Sequence, residues 1–500
     1  MVGGQDGPGS RHTVIVVGSG FGGQAAAMTL VRLGIEDLLI LERRDFVGGT
    51  WAQNSYPGAA VDVQSPLYSL SSEPYPWTRM FAEQAELQDY TDHVIDKHRL
   101  RERTVLGAEV TRLRWSDDAG DGPDGPRGEW EVTTTAGTYR AQFVVNASGP
   151  LSIPVIPPFP GRDTFAGAAF HTNGWRHDVN LTGKRVAIVG SGASAAQVIP
   201  AITPHVRELH VFQRSPHWVL PRHDRVFTPW QRRLMRIPLV HRVVRTALYW
   251  SLETRIVGFK YSDKALEQIA GKVARGHLAQ QVPDLELRRL LTPDYTIGCK
   301  RVLLSNTLYP ALGQPHVTVH GRDDGIAQVT PSGVTCAGGQ QVDLDVIVWS
   351  TGYDATDGVI PYPVEGRDGR TLSHHWAQFP RAYLGTTVPG FPNLFVVTGP
   401  NTGIGHTSAI FVIEAQMEYI ARAVGAVREA GARAIEVTPQ AEAAYTRMIH
   451  REMERTVWKT GGCSSWYQSR SGHVVAIFPG FSFTYRLKAK KFRPEHHLVS

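Results

Sequence analysis

Two six-residue glycine clusters hold the first residues in this 500-residue chain whose spacing could do chemistry. Gly18-Ser19-Gly20-Phe21-Gly22-Gly23 has the form G-x-G-x-x-G, and Gly190-Ser191-Gly192-Ala193-Ser194-Ala195 the form G-x-G-x-x-A. A turn of this kind sets a pyrophosphate on the backbone N–H groups of a helix N-terminus, provided that a strand precedes it and a helix follows. The first glycine makes the turn, the second lets phosphate approach the backbone, and the third small residue packs helix on strand. Counting 24 residues on from the first glycine reaches Glu42 in one unit and Arg214, beside Ser215, in the other. A carboxylate suits a ribose with free hydroxyls, and a guanidinium suits a 2′-phosphate. The first site is therefore expected to hold FAD and the second NADP(H).

The elements needed to position these residues are present. Val14 to Val17 is an apolar run of strand type, Gln24 to Leu33 reads as a helix, and the strand Leu38 to Leu41 ends in Glu42. Lys184 to Val189 leads into the second cluster, and Leu209 to Gln213 ends at Arg214. Strands at Trp130–Thr134 and Tyr139–Val145 run into a small-residue segment, Asn146 to Pro150. Two later strands end alike: Val346–Ser350 into Thr351-Gly352, and Leu394–Thr398 into Gly399-Pro400-Asn401. Small residues at strand ends permit a domain crossing and the approach of a cofactor. The fold class expected is α/β, with two Rossmann-like dinucleotide-binding domains, the second inserted in the first and carrying a helical insertion. The expected division is a flexible leader at 1–11, the FAD domain at 12–152 and 353–500, and the NADP domain at 153–352. Within it, the proline-rich stretch Ser152 to Pro160 reads as a linker. Residues 76–100 read as a helix and Asp117 to Gly128 as a hairpin tip. The segment 228–290 reads as helical, with Arg232, Arg233, Arg236, Arg242 and Arg245 on an otherwise apolar stretch. Its apolar side is expected to pack on the nucleotide domain, the alternative being a membrane surface. A periodic helix is expected over 409–431, and the turn Gly399 to Gly405 before it is expected to meet FAD.

Composition bounds the rest. At 42% hydrophobic and 20% charged, with net charge +6, the chain is ordinary for a soluble protein, and anionic cofactors explain the charge as well as nucleic acid does. No apolar window reaches membrane-spanning length. Cys299, Cys336 and Cys463 are far apart and form no C-x-x-C pair, which argues against a disulfide framework, a thiol redox centre and a metal site, and for a cytoplasmic protein.

Between the first cluster and residue 62 lies a dense run: Gly48-Gly49-Thr50-Trp51, Asn54, Tyr56-Pro57-Gly58 and Asp62. Paired glycines let backbone approach a ligand, Tyr-Pro-Gly makes a rigid turn, and a lone carboxylate at the end of an apolar segment needs a partner. Its spacing, Gly-Gly-x-Trp then aromatic-Pro-Gly then Asp, resembles a pattern of the type I Baeyer–Villiger monooxygenases. So does Phe165-x-Gly167-x-x-x-His171-x-x-x-Trp175, with Gly298 to Arg301 (GCKR) and Ser350 to Asp354 (STGYD). The one departure is Arg176, where the family has Pro or Asp. The resemblance implies an NADPH- and O2-dependent flavin monooxygenase whose C4a-peroxide inserts oxygen beside a ketone carbonyl, giving an ester or lactone. The alternative is an N- or S-oxygenating flavin-containing monooxygenase. It further implies Arg301 as the active-site cation and Asp62 as its partner. Cofactor contacts would come from Gly18, Gly20, Phe21, Gly23, Glu42, Gly49, Thr50, Trp51, Tyr56 and Asp62 for FAD. Gly190, Gly192, Ser194, Ala195, Arg214, Ser215, Thr351 and Gly352 would serve the second site. His171 and Trp175 are assigned to domain closure. The expected partners are a small apolar ketone and dioxygen, with no nucleic acid, no membrane span and no metal, in a monomer or homodimer. Cys299 is expected to serve only packing.

Overall fold

Each glycine turn is fed by an inner strand of its own sheet, paired in parallel on both sides. The computed structural model describes residues 7–117 and 128–500, so most of the expected hairpin tip at 117–128 lies outside the described residues. In the first sheet, β1 (Arg11–Val17) lies in parallel between β2 (Leu38–Leu41) and the later strand β6 (Gly137–Asn146). Val14 to Val17 and all of β2 are buried, which is why they read as continuous apolar runs and not as alternating ones. Beyond β2 lies β3 (Thr104–Val105). β4 (Val110–Ser116) and β5 (Glu129–Thr134) form an antiparallel meander with β6. Val364–Glu365 and Leu394–Val396 return to add parallel strands to β4 and β6. Part of the stretch expected as a leader is paired: Arg11, with His12, joins β6, and Gly9 donates its N–H to the Thr138 carbonyl at 2.7 Å.

The second sheet contains β7 (Ala168–His171), β8 (Arg185–Val189) and β9 (Glu208–Phe212). With Val317–His320 beside β9, and Val346–Trp349 between β8 and β7, all five strands are parallel. The chain enters and leaves this unit side by side. Val155 N–H donates to the Gly352 carbonyl at 2.9 Å, and Asp354 N–H to the Ile153 carbonyl at 3.0 Å.

Helices α1 (Phe21–Arg32), α2 (Thr50–Gln53), α3 (Gln84–Lys97) and α4 (Ala193–Ile202) surround the two turns. Only the second half of the helix expected over 76–100 forms, because residues 80–83 are held extended: Ser65 and Val61 donate to the carbonyls of Met80 and Ala82 at 2.7 and 3.1 Å. The insertion is helical and opens with α5 (Pro229–Met235) and α6 (Pro238–Glu253). Its packing meets the expectation only in part: Leu278 and Val282, late in the insertion, lie in the core of the second domain, whereas α6 does not. α6 turns His241, Arg245 and Glu253 inward and leaves Leu239, Val243 and Trp250 exposed, and it docks on the first domain instead of the second. Arg245 donates to the carbonyls of Pro66, Leu67 and Ser69 and pairs with Glu414 at 3.2 Å.

The cysteines also correct the sequence reading. Cys299 and Cys463, 164 residues apart, form a disulfide with Cα atoms 6.1 Å apart. Separation along the chain hid a contact made by folding: Thr296 N–H donates to the Gly461 carbonyl at 3.1 Å, laying the two loops together.

Candidate active site

The first glycine turn is built as a cradle. Gly18 has φ +99°, and a Cβ there would lie 2.7 Å from the Ala147 carbonyl oxygen. A Cβ on Gly23 would lie 1.9 Å from the Gly18 carbonyl oxygen, so only hydrogen lets α1 rest on the turn. Gly20 differs, because a Cβ there meets only the Gly49 Cα, at an ordinary 3.5 Å. The space beside it opens into a pocket shared with Phe21, Glu42, Gly49, Thr50 and Trp51. α1 starts there without a side-chain cap, leaving its first N–H groups for an anion. Glu42 is buried at the end of β2, where Ser19 donates its N–H at 3.0 Å and its hydroxyl at 2.7 Å. Thr398 and Ala409 line the same pocket, but the turn Gly399 to Gly405 between them does not, contrary to expectation. Asn401 anchors that turn elsewhere, donating to the carbonyls of Val474 and Ile477 at 3.0 Å each.

The second turn repeats the plan. A Cβ on Gly190, at φ +122°, would lie 2.2 Å from the Ser350 carbonyl oxygen, whereas one on Gly192 meets open space. α4 also starts uncapped; Ser194 sits in its first turn, and Ala195 is buried against the sheet. Arg214 is exposed just beyond β9. Beside it, Lys300 donates from Nζ to the Ser215 hydroxyl at 2.6 Å, and Ser191 donates to the Ser215 carbonyl at 2.8 Å. Burial and then the charge of Arg214 hold the Lys300 ammonium below its ordinary range. Two cations close enough to repel each other at a glycine turn suit a phosphate dianion. Thr351 and Gly352 serve the crossing: the Thr351 hydroxyl donates to the Val155 carbonyl.

Between the two turns, Arg301 meets Asp62 across 239 residues of sequence. Its Nε donates to Asp62 Oδ2 at 2.5 Å and a terminal nitrogen to Oδ1 at 2.7 Å, a bidentate fork. Burial alone would raise the Asp62 carboxyl, but the charge and hydrogen bonds of Arg301 hold it below the usual carboxylate range. The Asp62 charge in turn raises Arg301. The two side chains keep 29% and 30% exposure, and Asp62 lines a pocket, so the pair can meet a ligand. Tyr68, which accepts from Trp51 Nε1 at 3.3 Å, lines the first pocket and feels the Arg301 charge, linking the pair to that pocket. Arg222 shares a second pocket with Asp62, Gln197 and Ser305, and its Nε has no hydrogen-bond partner.

Over residues 11–273 the chain matches the flavin-binding monooxygenase-like family. It is 41% identical over 497 residues to a Baeyer–Villiger monooxygenase of Pseudomonas aeruginosa, covering 98% of this chain and 92% of that one. The chain belongs to the Baeyer–Villiger monooxygenases. Its fold matches a closed crystal structure of cyclohexanone monooxygenase with a TM-score of 0.87 at 30% identity, over 98% of this chain and 99% of the other. The complex of OTEMO with FAD and NADP matches with a TM-score of 0.87 at 25% identity, over 98% and 99%. The two Rossmann domains of this monooxygenase are those of an FAD- and NADPH-dependent enzyme.

Within the monooxygenase, the Phe165 to Trp175 segment bonds both domains. His171 accepts from the Asn173 N–H at 3.0 Å, and Asn173 Nδ2 donates to Asn54 Oδ1 and to the Tyr353 hydroxyl at 3.3 Å each. Asn173 lines the first pocket, a contact the sequence reading missed. Burial holds His171 near a pKa of about 4, hence neutral. Trp175 packs edge-on to Phe170 in the second domain, and Arg176 pairs with Asp178 at the surface. Tyr56 lies outside the first pocket. It inserts into the core of the second domain, donating to Gln197 Oε1 at 3.0 Å, and so ties the Gly48–Asp62 segment to α4. Away from both pockets, His320, Asp324 and Cys336 bring metal-ligand atoms within 4.8 Å of one another. His320 already engages Asp324 at 2.6 Å and His210 at 3.1 Å, which accounts for both of its ring nitrogens.

Proposed function

We propose that Arg301, oriented by Asp62, is the catalytic residue of this NADPH- and O2-dependent enzyme, and that its substrate is a small apolar ketone converted to an ester or lactone. Bound FAD, reduced by NADPH, supplies the activated oxygen. The room beside Gly20, the uncapped start of α1 and the buried Glu42 fit its pyrophosphate and ribose. Gly192, Arg214, Lys300 and Ser215 fit the pyrophosphate and 2′-phosphate of NADPH. A guanidinium cannot lose its proton in this setting, so Arg301 keeps a permanent positive charge. As the ketone carbon becomes tetrahedral, its oxygen gains negative charge, and a preorganised donor beside it lowers that barrier. The bidentate fork with Asp62 carries this reading, because it fixes the cation without solvent reorganisation. A cytoplasmic location fits the supply of NADPH.

Arg301→Ala is expected to bind FAD and to be reduced by NADPH, yet to form ester roughly 100–1000-fold more slowly. Reduction followed by stopped flow, together with ester yield per NADPH, tests this. Ester yield near that of the unsubstituted enzyme would remove Arg301 from the reaction.

A further inference from the structure

The outer face of the helical insertion is assembled unlike an ordinary solvated helix. α6 presents Leu239, Val243, Ala247 and Trp250 at helical spacing to the outside, while the polar residues His241, Arg245 and Glu253 point in beside the buried Tyr249 and Leu252. Leu239 is 68% exposed, Val243 61% and Trp250 50%, and on α5 Trp230 is 61% exposed. Two of the three inward polar groups, Arg245 and Glu253, are held by partners within the protein, which fixes the orientation of the helix. Arg245 is bound by three carbonyls and Glu414, and Glu253 accepts from the Ser482 N–H and hydroxyl at 2.5 and 2.7 Å and pairs with His406. Among these apolar side chains stand Arg233, Arg236 and Arg242, all exposed. From Thr228 to Tyr261 the sequence has one carboxylate, Glu253, and it is buried.

We propose that this face is a docking surface for an anionic lipid bilayer, on which α5 and α6 lie in the headgroup plane. The charge distribution selects this occupant over a second copy of the chain. A two-fold interface through α6 would press arginines against arginines, with no exposed carboxylate on the patch to answer them. Anionic headgroups answer the arginines, the acyl boundary takes Leu239 and Val243, and Trp230 and Trp250 have the amphipathic rings that favour that depth. The patch continues past Trp250, which packs on Phe483, to the exposed Leu487.

The test is co-sedimentation of the FAD-loaded enzyme with vesicles of phosphatidylcholine alone and with roughly 30% phosphatidylglycerol added, which gives the surface a negative potential. Binding is expected only to the anionic vesicles, and it should weaken as salt rises. Arg233→Glu with Arg236→Glu should weaken it at least about twentyfold, since each cation near such a surface contributes about fivefold. Leu239→Glu with Trp250→Glu should weaken it without altering NADPH oxidation in solution, because these side chains are exposed and line neither pocket. Sedimentation velocity on the same proteins supplies the opposing outcome. Absence of vesicle binding, binding unchanged by either double substitution, or a dimer that the Leu239 and Trp250 substitutions dissociate would each overturn the proposal.

Discussion

At the scale of single residues, the two cations at the second turn make the sharpest forecast. If Arg214 and Lys300 both hold the 2′-phosphate, Arg214→Ala should lose about 1.5–3 kcal/mol of NADPH binding, and NADH should be almost unaffected. The ratio of kcat/KM for the two coenzymes reads this directly, and an unchanged ratio would place the phosphate elsewhere. Lys300→Ala should lower the ratio in the same direction. For the proposed active-site cation, Arg301→Lys should fail nearly as badly as the alanine variant, because an ammonium keeps the charge and loses the fork on Asp62. Product formation comparable to the unsubstituted enzyme would show that charge alone suffices. Glu42 and Arg214 were legible in the sequence because their distance from a glycine turn is set by one strand–helix–strand unit. Asp62 and Arg301 were legible only through family resemblance, since 239 residues separate them. Tyr68, Asn173 and Arg222 reach the sites through tertiary contacts that local pattern does not encode.

At the scale of elements, the three glycines of the first turn have separable duties. Gly20→Ala should fold, since its Cβ meets only ordinary contact, yet purify with little FAD. Gly23→Ala should fail at an earlier stage, because its Cβ would stand 1.9 Å from a backbone oxygen that cannot yield without moving α1 off β1. Soluble yield and flavin absorbance separate the two, and a fully yellow Gly20→Ala protein would contradict the cradle. The strand–turn–helix units were legible because buried parallel strands are apolar on both faces. Residues 76–83 misled because composition cannot announce backbone pairing with residues 60–65. α6 misled more instructively: helical periodicity reports two faces of different polarity but not which of them points inward.

At the scale of the molecule, two buried histidines and one half-buried histidine should make stability depend on acid. Burial holds His171, His217 and His241 each at about 4, against an ordinary value of 6.5. The folded chain therefore refuses protons that the unfolded chain accepts. The histidine contribution to stability should be full above pH 6.5, fall as pH drops toward 4, and level off below that, each histidine adding up to about 1.4 kcal/mol per pH unit in that window. Denaturant midpoints between pH 7.5 and 4.5 would show the slope, and His171→Asn should reduce it. A flat profile above pH 4.5 would mean that these rings stay protonated in the fold.

The side-by-side crossing at Ile153–Val155 and Gly352–Asp354 bears on how such a protein can change. The two cut ends of the coenzyme unit touch, so it forms a cassette: a different unit with adjoining ends could be spliced between Val155 and Gly352 without rethreading the flavin sheet around it. Coenzyme preference in this architecture is therefore open to exchange of a whole part as well as to substitution at Arg214.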